Sequence, residues 1–130
     1  MRKTIILLVL AALCACQESL EKRCEREAIT FTKKNCPAKL SDAITVDSMA
    51  FHQPTLTIHY YYKLTGEADD STQVNAKEWR EQLLTSLKNA TTMKAYMDAG
   101  YNVQYTYYSA SNPKTVLFEA LFKPEDYRNN

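Results

Sequence analysis

Thr55-Leu56-Thr57-Ile58-His59-Tyr60-Tyr61-Tyr62-Lys63-Leu64 decides how the rest of this chain is read. Leu56, Ile58, Tyr60, Tyr62 and Leu64 fall on one side, with Thr57, His59 and Tyr61 on the other. A period of two marks a β-strand with unlike faces. Just upstream, Ile44, Val46 and Ser48 alternate with Thr45, Asp47 and Met49, and His52-Gln53-Pro54 interrupts. Two alternating runs with a short break predict a hairpin.

Working outward, Leu20, Cys24, Ala28 and Phe31 recur at helical spacing behind Ser19, a good N-cap, with Pro37 beyond the end. After Leu64, Thr65 to Gln73 is a polar connection. Asn75 with Glu78 resembles a capping box, and Trp79, Leu83, Leu84 and Leu87 form the apolar face of a second helix. Met93, Tyr96 and Met97 make a short further helix closed by Gly100. Asn102 to Ser109 predicts a third strand, with Val103, Tyr105 and Tyr107 inward. A turn at 109–113 leads to a fourth strand, Thr115 to Lys123, with Val116, Phe118, Ala120 and Phe122 inward; Pro124-Glu125-Asp126 starts a last helical turn.

Helices alternating with hairpins predict a two-layer α+β sandwich: an antiparallel sheet of about four strands, helices on one face, order α-β-β-α-β-β. The repeated helix-plus-hairpin order is similar, at the level of fold alone, to periplasmic inhibitor-like and PepSY-like lipoproteins.

At the N-terminus, Arg2 and Lys3 precede an uncharged run from Thr4 to Ala12, the layout of a secretory signal and too short to span a bilayer. Leu13-Cys14-Ala15-Cys16 then resembles the lipobox of bacterial lipoproteins, with Leu at −3, a small residue at −1 and the obligatory Cys at +1; Cys14 departs from the usual residue at −2. The resemblance implies a signal peptide over 1–15, lipid on Cys16, and, from Gln17 rather than Asp after it, sorting to the outer membrane. Residues 16–19 would then be a short tether and 20–130 one domain. Only Gln17, Glu18 and Ser19 separate the lipid from the first helix, a reach of about 14 Å, so the domain sits close to the membrane.

Removing 15 of 130 residues leaves 115, enough for one core. That part keeps all 15 acidic residues and 14 of the 16 Lys and Arg, a net charge of −1. Such a balance gives no electrostatic case for nucleic acid or an anionic surface, and the mixed charges of 21–27 read as a solvated helix face. With Cys14 removed and Cys16 lipidated, Cys24 and Cys36 remain as an even pair in an oxidising compartment, and a structural disulfide is expected. The bridge requires the first helix to stop near Phe31 or Thr32, because helical rise would otherwise carry the cysteines apart.

Only Gly66 and Gly100 are present, so glycine-rich phosphate loops and the nucleophile elbow are absent. His52 and His59 have no Cys, Asp or Glu at metal-ligand spacing, and neither cofactor nor metal is expected. The alternation instead turns Thr57, His59, Tyr61, Gln104, Thr106, Tyr108, Leu117 and Leu121 outward, on a face rich in tyrosine, a residue enriched at contact sites. The expectation is a non-catalytic binding or assembly module, tethered to a bacterial outer membrane, that meets a protein partner or a second copy of itself there. The alternative is a small envelope hydrolase on the same scaffold.

Overall fold

The computed structural model describes residues 18–128. The expected signal peptide (1–15) and the lipidation site Cys16 lie outside the described residues. In chain order come α1 (Leu20–Asn35), β1 (Ala38–Lys39), β2 (Ile44–His52), β3 (Thr57–Leu64), α2 (Ala76–Asn89), α3 (Lys94–Asp98), β4 (Asn102–Ser109), β5 (Val116–Phe122) and α4 (Pro124–Tyr127), with single 3₁₀ turns between.

Both long helices begin as the sequence predicts. Ser19 accepts a hydrogen bond from the Lys22 N–H at 3.2 Å, and Asn75 accepts from Glu78 N–H at 3.1 Å, each satisfying an amide the first turn leaves unpaired. The end of α1 differs. The helix continues to Asn35, so Cys36 lies twelve residue steps along from Cys24, about 18 Å at helical rise, and both are free thiols. The expected disulfide is not formed. The cause lies at Thr32, whose hydroxyl donates to the Met49 carbonyl and accepts from the Met49 N–H, both at 3.0 Å. That double contact clips the last turns of α1 to the open edge of β2, where a stop at Thr32 was expected. Cys24 is sealed in the core, and burial pushes its thiol up to about 12.

The sheet has five strands in the order β1-β2-β3-β4-β5. Three pairings are antiparallel, but β3 and β4 run parallel, Tyr60 beside Tyr105 and Tyr62 beside Tyr107. The expected all-antiparallel sheet of about four strands is therefore corrected to a mixed sheet of five. Two hairpins lie side by side, and the helix-bearing segment between Leu64 and Asn102 is the long crossover that parallel neighbours require.

A second correction comes from an irregularity where Tyr107 pairs with Phe118 but Tyr108 with Val116. One extra residue on β5 shifts the alternation by one. Val116, expected inside, is 46% exposed, and Leu117, expected outside, packs against the core.

The helices cover the face carrying Ile58, Leu64, Val103 and Phe122, all fully buried together with Leu87 from α2. Each such side chain contributes about 1.5–3 kcal/mol by leaving water. Tyr127 closes one end, its hydroxyl donating to the Tyr101 carbonyl at 2.8 Å.

Candidate functional site

The two faces of β3 and β4 are built from the same residue type and behave differently. On the outer face the structure brings together most of the residues read as a candidate binding face. His59, Tyr61 and Tyr108 form a stacked column, with His59 and Tyr61 4.0 Å apart between ring centres and Tyr61 and Tyr108 at 6.2 Å. Each ring spends a face on its neighbour. Thr57, His59 and Thr106 are buried on this face. Gln104 and Leu121 flank the column, paired across β4 and β5, and Leu121 is exposed. Leu117 has left this face.

A polar chain crosses the same face. Thr106 donates to the Glu119 carboxylate at 2.8 Å, and a carboxylate only accepts. The Thr106 oxygen, 2.6 Å from His59 Nε2, must then accept from that nitrogen. His59 is thereby held in the Nε2–H tautomer. Burial, and then His52, push its pKa below the ordinary value, with Glu119 opposing. A nucleophile needs the opposite arrangement, with its proton offered to the imidazole. Among the described residues no three metal-ligating side chains cluster.

On the helix-covered face, α1 packs over β2 while α2 lies toward β5 and α4, and the two long helices make little contact with each other. Neither long helix makes more than slight backbone contact with β3 or β4. Tyr60, Tyr62, Tyr105 and Tyr107 form one stacked set there, with Tyr62 and Tyr107 4.5 Å apart and Tyr60 and Tyr105 5.5 Å apart. Two hollows adjoin this set, Tyr60 lining one and Tyr107 the other. One, of about 400 Å³, is walled by Phe31, Met49, Met93 and Tyr96, with Arg26 and Glu27 at its rim; the other, of about 340 Å³, lies between Ile44, Trp79, Leu83 and Tyr107.

This inner face is apolar with polar tips. Tyr60 donates to the Met93 sulfur at 3.5 Å, and Tyr96 to Glu27, which also accepts from Arg23 at 2.9 Å. The hydroxyls of Tyr62, Tyr105 and Tyr107 hydrogen-bond no other described residue, yet none is sealed from solvent. Burial of the rings pushes Tyr60 and Tyr107 up to about 12 and holds Tyr62 and Tyr105 well above the ordinary phenol range.

Such a face can accept apolar side chains in its two hollows while the free hydroxyls meet polar groups of the same guest. Sequence reasoning assigned these residues to an ordinary core. The signal was present, however: tyrosine at inward positions demands an outlet for each hydroxyl, which leucine does not.

Residues 19–118 match the family model described as Domain of unknown function (DUF8479). No curated protein matches the chain by sequence. Solved structures that share the fold include a protein of Pseudomonas aeruginosa described as secreted, with a TM-score of 0.68 at 13% identity over 86% of this chain and 100% of that one. The type 2 secretion system pilotin EpsS of Vibrio vulnificus gives 0.67 at 9% identity, over 85% and 94% of the two chains. The type II secretion system pilotin AspS of Vibrio cholerae gives 0.62 at 11% identity, over 88% and 98%.

Proposed function

The chain belongs to the DUF8479 family, and we propose that it is a lipid-tethered, extracytoplasmic assembly module that holds a segment of a protein partner in the groove between α1 and α2. The observation that carries this reading is the pair of apolar hollows lined by Tyr60 and Tyr107 beside the stacked inner tyrosines. An apolar surface this concave, with unpaired hydroxyls, is built for a guest. The fold it shares with two secretion-system pilotins supports a role in assembly outside the cytoplasm. The lipobox-like Leu13-Cys14-Ala15-Cys16 supports the tether and an outer-membrane location, with 1–15 removed and 20–130 as the working domain.

The hydrolase alternative loses its best candidate chemistry at His59. Thr106, the hydroxyl hydrogen-bonded to that imidazole, gives its proton to Glu119 rather than to His59.

The test compares cells making the unaltered chain, Leu83→Glu and Cys16→Ser, by envelope fractionation and native gel. Leu83 lines the groove and is only half-buried, so the charge is expected to spare the fold. The expected result is a high-mass complex containing the chain, lost with Leu83→Glu while that variant stays in the membrane fraction. Cys16→Ser is expected to leave the membrane. A chain that migrates as a free monomer whether or not Leu83 is altered would sink the assembly role.

A further inference from the structure

The outward side of α1 carries a stripe that neither the core nor the groove uses. Lys22, Arg26, Ile29 and Lys33 follow one another at spacings of four, three and four residues. At helical periodicity they fall within roughly 60° of each other, opposite Cys24, Ala28 and Phe31. Ile29 is 49% exposed, the only large apolar side chain so exposed on a helix among the described residues. Lys22 and Lys33 have no ion-pair partner among the described residues.

The chain just before α1 is drawn to the same side. Arg26 donates to both carboxylate oxygens of Glu18, at 3.3 and 2.5 Å. Cys16 precedes Glu18 by two residues, a reach of about 7 Å. Whatever Cys16 is attached to therefore lies close to the stripe.

We propose that this stripe is a lipid-surface docking face. With Cys16 acylated, α1 lies lengthwise on an anionic membrane surface, Ile29 at the boundary of headgroups and acyl chains, Lys22 and Lys33 among the phosphates. The proposal rests on the lipid anchor of the preceding section and adds an orientation to it. Glu25 borders Lys22, Arg26 and Ile29 and Glu18 is paired with Arg26, so the attraction of this face rests on Lys22 and Lys33 at either end of the stripe. Acyl chains on Cys16 supply the anchoring, and the stripe sets which side faces down.

The test uses the mature lipidated protein in vesicles of phosphatidylcholine with or without phosphatidylglycerol. Vesicle flotation is measured together with the rate at which an amine-reactive reagent modifies each lysine, read by peptide mass. Lys77 on α2 is the internal control. Phosphatidylglycerol is expected to slow Lys22 and Lys33 by about fivefold relative to Lys77. High salt is expected to abolish the difference, and Ile29→Glu to reduce it while flotation persists. Protein that floats but shows equal lysine rates on both vesicles overturns the docking face and leaves the anchor standing. Protein that does not float overturns the anchor, and the docking face with it.

Discussion

On the inner face of the central strands, Tyr60, Tyr62, Tyr105 and Tyr107 stack ring on ring, and three of their hydroxyls bond to no other described residue. On the outer face of the same strands, His59, Tyr61 and Tyr108 also stack, but over a closed polar chain of Thr106 and Glu119. The chemistry is nearly the same and the consequence differs. The outer column spends its ring faces on one another and lies beside the His59–Thr106–Glu119 chain, while the hydroxyls of Tyr61 and Tyr108, like three on the inner face, bond to no other described residue. The inner face differs in having two apolar hollows beside its rings, lined by Tyr60 and Tyr107. Exposure alone is a poor guide to a binding surface; a concave apolar lining is a better one.

The largest effect that separates the faces is expected in alkali. Inner tyrosines whose folded pKa is raised contribute stability that is fully present below the ordinary phenol value of 10.0 and is lost as pH rises toward about 12, where Tyr60 and Tyr107 titrate. Tyrosinate absorbance should therefore appear together with loss of the circular dichroism signal. Smooth titration of all nine tyrosines in a folded protein would erase the distinction.

Next in size is Tyr105→Ala, which removes a buried ring in contact with Tyr60, Tyr62 and Phe122. It is expected to cost about 3–5 kcal/mol in denaturant unfolding. Tyr61→Ala, on the half-buried outer column, is expected to cost about 1 kcal/mol. Equal costs would mean that the outer column is core by another name.

Thr106→Val keeps the shape but leaves His59 and Glu119 without their shared partner, at an expected cost of about 1–3 kcal/mol. Thr106→Ser should restore most of it. The smallest effect is expected in mild acid. Because the His59 pKa is lowered in the fold, stability is fully present above its ordinary 6.5 and declines as pH falls below that value toward the folded one. In His59→Gln the profile should be flat in that window, the carboxylates acting only at lower pH.

Much of the fold could be read in the sequence, because it lies in local patterns. The alternation from Thr55 to Leu64 and from Asn102 to Ser109 gave two strands with the correct faces inward. Ser19 and Asn75 marked both long helix starts. Strand order was not readable, because the parallel pairing of Tyr60 with Tyr105 joins residues 45 apart and leaves no periodic trace. The irregularity at Val116 was equally silent, since one extra residue looks like unbroken alternation. The length of α1 was misjudged because a disulfide was required of it, whereas Thr32 holds the β2 edge instead. The groove lay in the choice of tyrosine over leucine at inward positions, but its opening depends on how far apart α1 and α2 come to rest.

The most direct measurement of the central claim is site-specific photo-crosslinking in cells from four positions, two on each face. Phe31 and Leu83 line the groove, and Tyr61 and Leu121 lie on the outer face. A discrete adduct with one envelope protein is expected from both groove positions and none from the outer pair. Adducts from Tyr61 and Leu121, with Phe31 and Leu83 silent, would contradict it and make the outer face the working surface.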